Sequence, residues 1–232
     1  MRTKLTALLV TVAALAAGAV AHAAPIPVAS YTFQGQDDVN AFQNVGTTSC
    51  KRSWVKSQAL GIAVGKTGST CTYRSSVVGD SSAQYSDLGM VATATVGGGG
   101  TKAASKSLVG VGVRYSSSAG YVLRVLPNKH KWQYFRDPKG ADGPKLEASG
   151  SGKFIKIASK PNVITIRAFS YGGNSTSVVG SVNGHGVVST TDSTADQPDG
   201  RQTVLVSGVK GGSGTGVMGV FDDVTVQVPN PF

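Results

Sequence analysis

Three runs of sequence decide the fold: Leu108-Val109-Gly110-Val111-Gly112-Val113-Arg114-Tyr115, Gly120-Tyr121-Val122-Leu123-Arg124-Val125-Leu126, and Lys131-Trp132-Gln133-Tyr134-Phe135-Arg136. Each is short, rich in β-branched and aromatic residues, and bounded by turn-forming residues, so each reads as a strand. The connections Ser116–Ala119 and Pro127–His130 are too short for anything but consecutive antiparallel pairing. Side chains alternate between the two faces of a strand. Trp132, Tyr134 and Arg136 therefore share one face, and Lys131, Gln133 and Phe135 the other. By the same count Arg124 has the phase opposite to Tyr121.

The same signal continues on both sides. Upstream lie Ala29–Phe33, Trp54–Lys56, Leu60–Val64, Cys71–Arg74 and Leu88–Val96. Downstream lie Val163–Ala168, Ser177–Val182, Gly186–Thr190, Val204–Val209 and Val217–Val228. About a dozen strands at this spacing predict an all-β, antiparallel sandwich. The one helical turn expected is Asp37–Phe42, capped by Asp37 or Asp38, with Val39 and Phe42 facing the core. Asn183-Gly184 between Val182 and His185 is a hairpin signal, because both residues tolerate positive φ. The glycine-rich stretches Gly97–Gly100 and Gly211–Gly216 read as inter-strand loops, and Pro229 stops the last strand. No internal repeat is visible, and residues 24–232 are expected to form one domain.

Residues 1–23 read as a secretory signal peptide. Arg2 and Lys4 precede the apolar stretch Leu5–Val20, and Ala21-His22-Ala23 is a small-x-small cleavage site. Removing this segment takes Arg2 and Lys4 from the 22 basic residues and leaves 20 against 12 acidic ones, a net +8. That charge suits anionic partners such as cell-wall polymers, and it also keeps an exported protein soluble. An oxidising compartment pairs cysteines, so Cys50 and Cys71 are expected to form a disulfide. Two cysteines cannot build a four-thiolate zinc site, and a hydrophobic content of 40% excludes a disordered chain.

At this point the chain resembles the concanavalin A-like lectin/glucanase sandwiches, in particular the laminin-G-like domains of exported bacterial proteins. The motifs carrying the likeness include Val111–Tyr115, Gly120–Val125, Lys131–Arg136, Asn162–Arg167 and Ser181–Gly184. Gly219–Val226, Tyr31–Phe33 and Tyr85–Leu88 complete the order. The resemblance implies an antiparallel jelly-roll sandwich over most of the mature chain. Alternation sets Val220, Asp222, Val224, Val226 and Val228 on one face and Phe221, Asp223, Thr225 and Gln227 on the other, so one of Asp222 and Asp223 points inward or at the sheet rim, where the resemblance implies that it bonds neighbouring backbone N–H groups. Laminin-G and legume-lectin relatives bind calcium at a loop rim, which draws attention to Asp192, Asp196 and Asp199. Those aspartates offer oxygen ligands. Their spacing does not follow a calcium loop, and Pro198-Asp199-Gly200 is also an ordinary turn.

Catalytic signatures are missing. Glycosidases of this class need two carboxylates flanking the scissile bond. The chain has one glutamate, Glu147, in a loop-like stretch, and no aspartate pair at strand period two. There is no Gln-x-His strand, no Gly-x-Ser-x-Gly elbow and no spare thiol. No catalytic residue is assigned, and no cofactor is expected beyond the calcium that the aspartate loop would admit. The candidate binding residues are Arg114, Tyr121, Arg124, Trp132, Tyr134 and Arg136, since aromatic rings stack on sugar faces and guanidinium groups bind hydroxyl or carboxylate oxygens. Not all can face one way: the groove is centred on Tyr121 and the aromatics, or on Arg124. Trp132 and Tyr134 would equally serve as core between the sheets. The expected function is a secreted, non-catalytic carbohydrate- or cell-wall-binding protein. A glycan hydrolase of the same fold and a structural or sensor domain are the alternatives. Export argues against nucleic acid, nothing suggests a second membrane segment, and a monomer is expected.

Overall fold

The computed structural model describes residues 24–45, 49–55, 58–65, 69–75, 87–98, 106–116, 119–137, 143–170, 174–209 and 217–228. Residues 1–23, Gly99 and Gly100, the stretch 211–216, Tyr85 and Ser86, and the tail after Val228 lie outside the described residues, while Gly97 and Gly98, expected in a loop, extend β6. The strands are β1 (Ile26–Tyr31), β2 (Phe42–Asn44), β3 (Cys50–Val55), β4 (Ala59–Val64), β5 (Thr70–Ser75), β6 (Leu88–Gly98), β7 (Ser107–Ser116) and β8 (Ala119–Leu126). They continue as β9 (Lys131–Asp137), β10 (Lys145–Ser151), β11 (Asn162–Ser170), β12 (Thr176–Val182), β13 (His185–Asp192), β14 (Gln202–Val209) and β15 (Val217–Val228).

These form an antiparallel jelly-roll sandwich. One sheet runs β13-β12-β11-β6-β15-β4-β3, with β1 on the far half of β15; the other runs β10-β9-β8-β7-β14-β5-β2. β7, β8 and β9 pair consecutively, as their short connections require. The inner faces interdigitate: Leu60, Ile62, Met90, Ile164, Ile166, Val224 and Val226 come from the first sheet, and Val111, Val113, Tyr121, Leu123 and Leu205 from the second. All are buried. The Asn183-Gly184 turn has φ of 50° and 80°, the positive values its hairpin needs.

Two cross-sheet pins hold opposite edges of the sandwich. On one edge Cys50 of β3 is bonded to Cys71 of β5, with a Cα–Cα distance of 5.6 Å. The other edge is held by side chains of β8, β9 and β13.

Several expectations change. The helical turn α1 spans Gln36–Asn40, and its N-cap is Gly35 with no side-chain bond. Asp38 instead accepts the backbone N–H of Phe33 at 2.7 Å. Val39 and Phe42 do face the core. β2 and β10 are strands where the sequence reads as turn and loop.

The alternation in β15 breaks at Asp223, where φ is 42° and the pairing with β6 slips. This bulge puts both Phe221 and Val224 in the core and leaves Asp222 and Asp223 outside, so neither aspartate points inward. Asp222 still bonds backbone, accepting the adjacent N–H of Asp223 at 3.1 Å.

Candidate functional site

The sequence of β9 places Trp132, Tyr134 and Arg136 in a row on its inner face, between the edge strands β10 and β13. Register confirms the row: Trp132 lies opposite Val125, Tyr134 opposite Leu123 and Arg136 opposite Tyr121, all inward. Trp132 is half-buried, and Gly150 on β10 lies so close to its ring that a β-carbon there would sit 2.8 Å from the indole nitrogen. Tyr134 is buried and stacks with Tyr121 at a centroid distance of 6.5 Å. It therefore serves the core, with only its edge at the surface.

Arg124 points the other way, as its phase requires. Its guanidinium lies 3.6 Å from the centroid of Phe135 on the outer face of the sheet. Burial lowers its pKa to about 10. Arg124 is thus separated from the other five candidate binding residues.

Arg114 joins the inner face through a bulge. Its φ is 50° and the β7–β8 pairing slips just beyond Val113, which reverses the alternation. The buried side chain donates across the sandwich to Thr176 Oγ1 at 2.5 Å, and to Asp87 Oδ1 and Ser170 Oγ at 3.0 Å each.

The centre of the site is Asp192, the last residue of β13. Its Oδ2 accepts from Tyr121 Oη at 2.8 Å and from Arg136 Nε at 2.7 Å. Its Oδ1 accepts the Thr194 N–H at 3.0 Å and the Thr194 hydroxyl at 2.6 Å. Arg136 Nη2 also bonds Thr194 Oγ1 and Asp196 Oδ1. Burial alone would raise the Asp192 pKa, but the bonds from Thr194, Arg136 and Tyr121 outweigh it and hold the carboxyl below the usual carboxylate range. For Tyr121, burial and the bond to Asp192 both push the phenol up, so it stays protonated and donating.

A cleft of about 210 Å³ adjoins Asp192, lined by Tyr134, Arg136, Glu147, Thr190, Thr191, Asp192, Ser193 and Thr194. Glu147 reaches it because it is the extra residue of a bulge in β10, between Leu146 opposite Phe135 and Ala148 opposite Tyr134. Sequence reasoning places Glu147 in a loop and reads the hydroxyls of Thr190, Thr191 and Thr194 only as oxygen ligands for calcium. The available signal was the hydroxyl run beside Asp192. A second cleft, of about 300 Å³, lies on the other side of the same loop and is lined by Arg114, Ser170, Asn174, Thr176, Gln197 and Asp199, among others.

The loop between the clefts is clamped by close packing. A β-carbon on Gly200 would lie 2.2 Å from the carbonyl carbon and oxygen of Tyr115. Gly200→Ala is expected to cost about 2–3 kcal/mol by overpacking, read as a lower urea midpoint. A variant of unchanged midpoint would show that the loop shifts freely.

Asp192, Asp196 and Asp199 do not converge. The first two meet Arg136, and Asp199 lines the second cleft. Among the described residues, no group of three His, Cys, Asp or Glu side chains is placed to hold a metal ion.

The fold has many counterparts among solved structures. The carbohydrate binding module CBM66 from Bacillus subtilis superposes with a TM-score of 0.52 at 12% identity, covering 81% of this chain and 95% of that one. An endo-1,3-beta-glucanase from Streptomyces sioyaensis gives 0.57 at 10% identity, over 89% and 97% of the two chains. The Crh5 transglycosylase gives 0.58 at 14%, over 90% of each. The shared fold is the antiparallel jelly-roll β-sandwich. No protein-family model and no curated protein matches the sequence. At these identities the likeness carries the fold alone, and the neighbours include both binding modules and glycan-active enzymes.

Proposed function

We propose that residues 24–232 form a single exported domain that binds an uncharged glycan, without cleaving it, in the cleft between β9, β10 and β13. The observation that carries this reading is the polar lining of that cleft, where Glu147, Thr190, Thr191 and the immobilised Arg136–Asp192 pair surround a space below the 300–1,000 Å³ usual for drug-sized ligands. Carboxylates, hydroxyls and a guanidinium fixed in place are the groups that hydrogen-bond sugar hydroxyls. The arginine is already matched by Asp192 and Asp196, and Glu147 adds a further negative charge, so an acidic sugar is disfavoured.

The arrangement also favours binding over hydrolysis. A glycosidase needs one carboxyl group free to give and take a proton. Asp192 spends its acceptor positions on Tyr121, Arg136 and Thr194, which leaves Glu147 without an acid partner of matched role. The Bacillus module and the Streptomyces glucanase, by their descriptions, represent the two sides of this choice.

A glycan array on the purified protein, with and without calcium, is the first test. For any neutral glycan retained, Glu147→Gln combined with Thr191→Val is expected to weaken binding about 10–100-fold, since each polar contact to a charged group contributes about 1.5–3 kcal/mol. Affinity should change little as salt rises. Unchanged affinity in a normally folded double variant would remove the cleft. Turnover of the glycan that disappears in Glu147→Gln would place the protein with the enzymes.

A further inference from the structure

The clefts and ion pairs lie at one end of the sandwich; the opposite end has the contrary electrostatic character. Three segments meet there: the turn 127–130 between β8 and β9, the connection 152–161 between β10 and β11, and the hairpin turn 183–184. They are bonded into one surface. Gly152 N–H donates to the His130 carbonyl at 2.9 Å, and Ala158 N–H to Asn128 Oδ1 at 3.0 Å. Asn183 Nδ2 donates to the Phe154 carbonyl at 2.7 Å, and Phe154 stacks on His185 with centroids 4.6 Å apart.

This surface carries Lys129, Lys131, Lys153, Lys156 and Lys160, and residues 127–131, 151–162 and 183–186 contain no aspartate or glutamate. All but Lys131 are exposed. The ion pairs among the described residues, Arg114–Asp87, Arg136–Asp192 and Arg136–Asp196, belong to the other end. All five cations are lysines, compact charges on flexible stems, which suit a diffuse anionic field better than a shaped pocket.

Amid these charges stands an apolar side chain. Ile157 is 45% exposed, at the start of a turn closed by Lys160 N–H donating to its carbonyl at 2.9 Å. Its neighbours in sequence are not free to bury it. Ile155 already fills the core, and Ala158 is bonded by Asn128 on one side and by the N–H of Val96 on the other.

We infer that this end of the sandwich docks on anionic phospholipid bilayers, the lysines meeting the headgroups and Ile157 entering the interface. A soluble polyanion would gain from the lysines but not from Ile157, whereas a bilayer uses both. The surface is separate from the glycan cleft, so either assignment can fail without the other.

The test is sedimentation of the purified protein with vesicles of phosphatidylglycerol and phosphatidylcholine in equal parts, against phosphatidylcholine alone. Binding is expected only to the anionic vesicles and should weaken as salt rises. Each lysine near such a surface is worth about fivefold, so Lys156→Glu with Lys160→Glu should weaken binding at least about 25-fold. Ile157→Ser should weaken it about three- to tenfold. Arg201→Glu, an exposed charge at the other end, should bind as the parent does. Equal binding to both vesicle types, or full binding by the double lysine variant, would overturn the proposal. So would binding that ignores Ile157→Ser and is competed away by soluble polyphosphate, which would assign the surface to a soluble polyanion.

Discussion

Replacing Asp192 with alanine is expected to lower the free energy of unfolding by about 3–5 kcal/mol, the largest effect of any single exchange considered. The reason is what would be left behind. Arg136 and Asp192 are both nearly buried, with side chains 9% and 6% exposed. Alanine leaves the guanidinium facing a vacated site with Asp196 as its remaining acidic partner, and removes the carboxylate acceptor of Tyr121. Asp192→Asn should cost less, about 1–3 kcal/mol, because the amide oxygen still accepts from Tyr121. The pair also sets an acid dependence. The Asp192 carboxyl has its pKa below the usual value in the folded chain. Its stabilisation is therefore complete above the unfolded value of about 3.9 and is lost as pH falls through the lower folded value. Urea midpoints measured from neutral pH downward should fall more steeply in that acid range for the parent than for Asp192→Asn. Equal midpoints for parent and alanine variant at neutral pH would show that the pin contributes nothing.

The second large effect concerns the opposite edge. Removing the Cys50–Cys71 disulfide is expected to cost about 2–4 kcal/mol; closing a loop of 21 residues removes about 3 kcal/mol of unfolded-chain entropy in the loop model. The fold should survive, because β3 and β5 keep their partners β4, β14 and β2. The clean comparison is a double alanine variant, since Cys71 is fully buried and a serine hydroxyl there would add its own penalty. Thermal unfolding with and without reductant measures the same quantity on the parent, and reduction should not change the double variant. Detection of two free thiols in unreduced protein would contradict the pairing.

The two missed strands have a common cause. β10 reads Lys-Leu-Glu-Ala-Ser-Gly-Ser from Lys145, with no β-branched residue and no alternation. It is an edge strand with most of its side chains in solvent, so nothing in its environment demanded an apolar face. β2 spans only Phe42–Asn44 and owes its existence to β5 beside it. Both are strands because a neighbour offers hydrogen bonds, and that information lies elsewhere in the chain.

The candidate site divides in the same manner. Period-two counting put Trp132, Tyr134 and Arg136 on one face and set Tyr121 against Arg124, and the unslipped β8–β9 register then joined Tyr121 to the row. It could not place Arg114, Glu147, Asp222 and Phe221, each at or beside a bulge. One extra residue reverses every side chain beyond it, and no local pattern announces it.

From the sequence alone followed the sandwich, most of its strands, the cysteine pairing, and the lack of a paired-acid motif. These are properties of periodicity, composition and compartment, which act over a few residues or over the chain as a whole. Only the tertiary structure decided that Asp192 meets Arg136 and Tyr121, that Glu147 lines the same cleft, and that five lysines gather at the acid-free end. Those juxtapositions join residues separated by 56 and 71 positions in the network around Asp192. They depend on which strand ends the two sheets bring to the same side, which is a matter of register and crossover rather than of local propensity.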